Sequence, residues 1–425
     1  MSFLISVYGD ITKEDREKLL KAKPGCKINI IPYNDIQLFD DALYNSDTLI
    51  FRPTEKDRLS FAAAYLAEWR VSKHLQETPV FMYSEEGDDL DIFLKSFAAY
   101  RANLPEEKNT EAKNWFIYPT KKVSDLFTVV HNIDEIIDKL KSTQGRLEEK
   151  QITKNIPESE FKGLKEKFCN AELYESYEKY CSSKDRQPGI FVPAFASGNS
   201  WVKFASQVGK IIAELGFGFI NGGPDADGPM RNSALGAQEG RAKILAVYSL
   251  PVLKKYVLPE KIDCFKHISI ILTATEGQRK QIMLDESVAV IALPGAIGTI
   301  AEIEDAIRLG KPVILIDDKS INNGNGYWKF YTDYLTIKGL IDKVTVVYCQ
   351  DNLHDKISDV LTKHNILPRQ QRCIIRKEEV APVSTVCSTK DLAETTKVSS
   401  LNMFKKEIEI PNLPPSDNLL ELKRT

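Results

Sequence analysis

A chain of 425 residues, 43% hydrophobic and 28% charged, has the balance of an ordinary globular protein and is too long for one ordinary core, so two α/β domains are expected. Its formal net charge of -3 offers no broad attraction to phosphate backbones, which argues against nucleic acid as a partner. No apolar run approaches the roughly 20 residues that cross a bilayer, and Met1 to Asp10 lacks a basic start and a cleavage site, so a cytosolic protein with no membrane partner is expected.

From Phe3 the chain alternates short apolar runs with amphipathic stretches. FLISVYG, KINIIPY, TLIFRP, PVFMYS and NWFIYP predict strands, each near-continuously apolar like parallel strands covered on both faces. Residues 1–143 therefore read as a flavodoxin-like α/β domain. Residues 144–184 begin polar and highly charged and read as a linker running into a connecting helix that ends near Ser182. A second series follows from Gly189: GIFVPAF, FGFING, KILAVYS, HISIILTA, VAVIALPG, PVILID and VTVVYC. With helical periodicity between most of these runs, residues 185–366 read as a doubly wound, mostly parallel Rossmann-like sheet. Ligands of such sheets sit outside the carboxyl ends of the strands. Residues 367–425, rich in Pro, Ser, Thr and Lys and poor in periodicity, read as an extended or disordered tail.

Cysteine and histidine carry little signal. The 7 cysteines are scattered without a Cys-x-x-Cys pair, so reduced thiols are expected. The 5 histidines lack metal-ligand spacing, so no metal is expected.

The chemistry is expected in four loops. Pro294-Gly-Ala-Ile-Gly-Thr-Ile-Ala-Glu302 follows an apolar strand and opens a helix. Gly295 and Gly298 let backbone approach an anion, free amides at the helix start point at it, and Thr299 adds a hydroxyl. The plainer alternative makes Gly295 a turn, Thr299 an N-cap and Glu302 the end of a capping box. Arg279-Lys280 lies just upstream. A carboxylate beside a phosphate suffers repulsion of roughly 1 to 4 kcal/mol at about 4 Å, and Arg279 is suited to offset it through bidentate contacts, with Lys280 as a solvated neighbour. Asn221 to Met230 repeats the strand, glycine turn, helix logic. Gly222, Gly223 and Gly228 shape its loop, and Asp225 and Asp227 are either ribose acceptors or ordinary turn residues. The fourth loop, Ala196-Ser197-Gly-Asn-Ser200, either joins this site or caps a helix.

With these loops in order, Gly189 to Leu340 resembles the LONELY GUY phosphoribohydrolases, often mislabelled lysine decarboxylases. The family's Arg-Lys pair with a methionine three residues beyond the lysine matches Arg279, Lys280 and Met283, and its serine before the strand matches Ser287. Its Pro-Gly-Gly-x-Gly-Thr-x-x-Glu signature matches Pro294 to Glu302. The run at Leu309 to Leu315 and Gly326-Tyr-Trp328 also match. The resemblance implies hydrolysis of a nucleoside 5′-monophosphate, AMP or a cytokinin-type nucleotide, to free base and ribose 5-phosphate. It further implies a homodimer or higher homo-oligomer, no cofactor, and Arg279 and Glu302 as the catalytic pair. Ser197, Gly222, Gly223, Gly228, Met230, Lys280, Gly295, Gly298 and Thr299 would bind substrate. The sequence departs from the pattern at Ala296, where the family has glycine, at Val288, where it usually has Asp, and in a longer first glycine loop. Those departures keep open an alternative, a non-catalytic nucleotide sensor or carrier. In the first domain, Ala62 to Arg70 faintly resembles the glutamate-bearing helix of nucleoside deoxyribosyltransferases, which singles out Glu68.

Overall fold

The computed structural model describes residues 3–32, 35, 38, 42, 45–52, 79–83, 128–142, 156, 158–168, 171–183, 189–194, 201–223, 227–250, 253, 262–295, 297–321 and 324–367. The run NWFIYP, Glu68, Ser197, Asp225, Ala296 and the expected tail lie outside them. A compact unit spans Met1–Arg376.

That unit contains two parallel sheets. In the first, β1 (Leu4–Gly9), β2 (Lys27–Ile31), β3 (Thr48–Arg52), β4 (Val80–Tyr83) and β5 (Thr128–Val130) stand in the order β2-β1-β3-β4-β5. The first four coincide with predicted runs. The fifth, only 3 residues long, lies in a run that the sequence reading passed over. The winding reverses between β1 and β3. Helix α1 (Lys13–Ala22) begins at Thr12, whose hydroxyl accepts a hydrogen bond from the Asp15 amide at 3.0 Å, and α2 (Ile133–Ser142) follows β5.

The expected connecting helix is interrupted. Helix α3 (Glu158–Lys167) is followed by a short strand, β6 (Glu172–Tyr174), and then by α4 (Tyr177–Ser182). Ser176 starts α4 by accepting from the Lys179 amide, and β6 completes the second sheet by pairing in parallel with its neighbour. The charged pattern hid this break, because a 3-residue edge strand carries almost no periodicity.

The second sheet has order β13-β12-β11-β7-β8-β9-β10-β6. It comprises β7 (Gly189–Phe191), β8 (Gly218–Asn221), β9 (Ile244–Ser249), β10 (Ile268–Thr273), β11 (Ser287–Ala292), β12 (Val313–Asp317) and β13 (Val344–Tyr348). Among the described residues, the helices that connect these strands or follow the last are α5 (Val202–Glu214), α6 (Pro229–Glu239), α7 (Glu276–Glu286), α8 (Ile297–Arg308), α9 (Lys329–Ile337) and α10 (Leu353–Lys363). All 7 predicted strands of this sheet are present. Winding runs outward from β7 through β8, β9 and β10, then returns to β11 beside β7, so the topological switch point lies between β7 and β11.

Both faces of the sheet are buried, which explains the unbroken apolar runs. Phe191, Ile220, Val247, Ile271 and Val290 pack into one cluster, while Ile190, Phe219, Ala246, Ile270 and Ile291 pack into another. The first cluster also takes Tyr8, Phe51 and Met82 from the first sheet, and Trp328, Tyr331 and Tyr334 from the end of the GYW loop and α9. Each such side chain removed from water contributes roughly 1.5–3 kcal/mol. On the other face α5 and α6 approach through glycine. A Cβ on Gly236 would stand 1.9 Å from the Ser206 carbonyl oxygen, and one on Gly209 would stand 1.9 Å from that of Ser233. Gly236→Ala is therefore expected to force the helices apart and destabilise the chain by about 1–3 kcal/mol in denaturant unfolding. Wild-type stability would show that the helices separate freely. Among the described residues, no helix is long and apolar enough to cross a membrane.

Candidate functional site

The glycine signature sits at the switch point. Leu293 and Pro294 leave β11, Gly295 makes the turn and α8 begins at Ile297. Thr299 is thus the third helical residue and Glu302 the sixth, so the capping-box alternative fails, since it needs Thr299 just outside the helix. The first turn of α8 contains no acidic residue, leaving its positive end uncompensated. A Cβ on Gly298 would meet nothing within 4 Å, whereas one on Gly295 would stand 2.1 Å from the Thr299 hydroxyl. Gly295 is needed for the turn to close over Thr299, and Gly298 faces open space.

The turn is held from the side by the GYW loop. The Tyr327 hydroxyl donates to the Gly295 carbonyl at 2.8 Å in a buried bond. Asp317, at the end of β12, accepts from the amides of Asp318 at 2.7 Å, Tyr327 at 2.5 Å and Trp328 at 3.2 Å. Gly326, at φ 82°, fits because a Cβ would stand 2.3 Å from that carboxylate. Burial pushes the Asp317 carboxyl up, and the three amides pull it back. The sequence reading noticed the GYW motif but not this task, and it missed Asp317.

Arg279 lies on α7, which opens with a capping box made by Thr275 and Gln278. Its fork is almost fully used: Nε donates to the Val247 carbonyl at 2.9 Å, Nη2 to the Gly222 carbonyl at 2.8 Å, and Nη1 to Glu276 at 3.0 Å. Glu276 also accepts from the Ser249 hydroxyl. One guanidinium therefore ties together the carboxyl ends of β8 and β9. Gly222 is glycine because a Cβ there would stand 1.7 Å from Nη2. Gly223, at φ 115°, lies against the Tyr248 ring.

The rest of that loop is fixed by Asn221, which is fully buried. It accepts from the Gly223 amide at 3.1 Å and donates to the Met230 carbonyl at 3.3 Å. Gly228 precedes α6, whose first turn also lacks an acidic residue, and the Met230 side chain packs on the hydrophobic core. Asp227 is 77% exposed and stands 3.8 Å from Arg231, as a surface turn residue would. Met283 is buried in the core and Ser287 caps α7 through the Leu284 carbonyl, so both family positions serve the scaffold.

Lys280 corrects the expectation of a solvated neighbour. It is 6% exposed, and its ammonium pairs with Asp305 of α8 at 2.9 Å. Asp305 also binds Arg308 at 2.7 Å. Lysine at this depth requires a counter-charge, and Asp305, one turn beyond Glu302, supplies it.

Glu302 differs from these neighbours. It is half-buried, and among the described residues its carboxylate makes no hydrogen bond or ion pair. Burial pushes its pKa up from 4.5 to about 7; the charges of Arg279 and Lys280 oppose the rise, while Asp305 and Glu276 add to it. Arg279 and Glu302 are thus electrostatically coupled without touching. A cavity of about 570 Å³ on another flank of α7, lined by Gln278, Gln281 and Asp285, includes neither residue.

Residues 189–336 match the SLOG cluster4 family, the stretch that spans β7 to α9. The chain is 30% identical over 159 residues to a cytokinin riboside 5′-monophosphate phosphoribohydrolase of Mycobacterium tuberculosis, covering 36% of this chain and 78% of that protein. The chain belongs to the LONELY GUY family. A Mycobacterium marinum protein of the same name is 25% identical over 190 residues, covering 41% of this chain and 96% of the relative. Among solved structures, a molybdenum cofactor binding protein from Rippkaea orientalis aligns at 23% identity and TM-score 0.32 over 41% of this chain and 98% of its own. The molybdenum cofactor carrier protein of Chlamydomonas reinhardtii aligns at 25% and 0.32 over 42% and 99%. The SLOG cluster4 match begins at residue 189 and leaves β1 to β6 outside it.

Proposed function

We propose that this chain hydrolyses the N-glycosidic bond of a nucleoside 5′-monophosphate, AMP or a cytokinin-type nucleotide, giving free base and ribose 5-phosphate. The observation that carries the reading is Glu302: a half-buried carboxyl with no partner among the described residues and a pKa of about 7, in the second turn of the helix that starts at the switch point. A carboxylate meant only for structure would be paired, and one meant only for solubility would be exposed.

Loss of the base leaves positive charge on the ribose, and an ionised Glu302 stabilises that charge and accepts the proton of the attacking water. Water oxygen bonds to C1′ as the bond from C1′ to the base nitrogen breaks; the departing nitrogen carries away the electron pair and takes a proton from solvent, and the proton that Glu302 accepted is returned to solvent. The Gly295 to Thr299 turn and the start of α8 receive the phosphate. Arg279 orders the β8 and β9 loops around the sugar, and its positive field keeps enough of Glu302 ionised at neutral pH. The mycobacterial relatives, which carry this activity in their names, support the same assignment.

Incubation of the full chain with AMP and isopentenyladenosine monophosphate should release free base, read by chromatography. Calorimetry with the same nucleotides separates the outcomes. Binding without release would replace hydrolysis with a sensor or carrier role, and no binding would remove both.

A further inference from the structure

We propose that the buried Lys280–Asp305 ion pair is the positioning device of this site, clamping the helix that carries Arg279 to the helix that carries Glu302. The inference rests on the hydrolase reading above and deepens it. Consecutive residues of α7 point to different elements: Arg279 binds the loops after β8 and β9, and Lys280 crosses to Asp305 on α8 at 2.9 Å. The glycine loop, the guanidinium and the glutamate are thereby cross-tied through two adjacent side chains.

Stability alone is a poor reason for such a pair. Its side chains are 7% and 8% exposed, and replacing a buried ion pair by apolar groups of similar volume is often neutral or stabilising. An ion pair does hold two helices at a fixed distance, here 2.9 Å between Lys280 Nζ and an Asp305 carboxylate oxygen that no hydrogen bond orients, and apolar packing specifies such a separation less sharply. Asp305 is further held by Arg308 at 2.7 Å, so the acceptor cannot swing away to follow the lysine. Lying one turn from Glu302 on the same helix, it transmits that constraint to the neighbouring carboxyl.

The groups whose charge bears on Glu302 are Arg279, Lys280 and Glu276 from α7 and Asp305 from its own helix. Lys280 lowers the Glu302 pKa and Asp305 raises it. The two partners of one clamp therefore make opposite predictions. Lys280→Met should move the ionisation of Glu302 to higher pH, and Asp305→Asn to lower pH, each by about one pH unit. Loss of a merely structural contact has no reason to give opposite signs.

The experiment has two readouts on the full chain. Carboxyl carbon NMR, with the Glu302 signal assigned by its loss in Glu302→Gln, follows the titration without requiring turnover. Steady-state base release from AMP between pH 5 and 9 follows the rising limb of kcat. Asp305→Asn is expected to lower kcat roughly 10-fold to 100-fold, with KM nearly unchanged. Lys280→Arg, which keeps the charge, should hold the Glu302 midpoint close to that of wild type. Should Lys280→Met or Asp305→Asn fail to fold, Asp305→Glu keeps the pair but moves its carboxylate, and it should lower kcat at constant KM.

Midpoints that stay in place or move together overturn the clamp, as does wild-type kcat in Asp305→Glu. A wild-type protein that releases no base, yet whose Glu302 signal moves in opposite directions in the two variants, would refute the hydrolase reading and leave the clamp standing.

Discussion

Glu302→Gln is expected to slow base release by about 10²–10⁴ while making the folded chain more stable above neutral pH. The kinetic loss follows because Gln neither carries the negative charge that faces the developing cation nor accepts the proton of water. Its shape is otherwise that of Glu, so KM should change little. The stability gain follows from the raised pKa of about 7 against an ordinary 4.5. Between those values the folded chain holds a proton that the unfolded chain releases, so this residue makes stability fall as pH rises through that window. Below about pH 4.5 the penalty vanishes, and above about pH 7 it is complete. At pH 8 the variant should exceed wild type by roughly 1–3 kcal/mol in denaturant unfolding, and near pH 5 by only a small part of that. Equal stabilities at both pH values would mean that the carboxyl ionises as in water, and its assignment as the poised group would fall with it.

The same residue shows where sequence and structure part. The strands of the second sheet were readable because each is buried on both faces and so is apolar throughout, and the expectation of ligand loops at their carboxyl ends followed, whereas the switch point between β7 and β11 required the strand order of the folded sheet. The signature was readable as an anion cradle, but the sequence could not separate that reading from a capping box. The choice depended on whether Thr299 lay outside the helix or three residues inside it. Strands β5 and β6 were missed because 3 residues show no period. Lys280 was misplaced because an isolated lysine is ordinarily solvated, and its counter-charge stands 25 positions away, on a helix whose facing side the sequence left open.

The acceptors of Arg279 were illegible for a different reason. Two of its three partners are backbone carbonyls, at Val247 and Gly222, 32 and 57 residues upstream. A carbonyl leaves no side-chain signature. Glu276, three residues before Arg279 on the same helix, was the one visible clue, and Gly222 was a clue only in retrospect, as the residue whose missing Cβ makes room for the fork. The sequence pointed to a cation for substrate; the structure adds that this cation organises the walls.

Arg279→Ala is accordingly expected to be the most damaging change to the scaffold of the site. Among the described residues it leaves Glu276, whose side chain is 11% exposed, with the Ser249 hydroxyl as its partner, and it frees the Val247 and Gly222 carbonyls. Removing one partner of a buried pair costs about 3–5 kcal/mol, and this pair, slightly less buried, should lie near or just below the lower end of that range. Activity should fall by at least about 10², since Glu302 also loses its strongest opposing positive field and becomes harder to ionise at neutral pH. Arg279→Lys separates the two effects. A lysine restores the charge but reaches one or two of the three acceptors from a single nitrogen. The expected result is a Glu302 titration near that of wild type, with stability and kcat both still reduced. If Arg279→Lys instead matched wild type in unfolding and in base release, the three-way tie would be dispensable, and Arg279 would act through its charge alone.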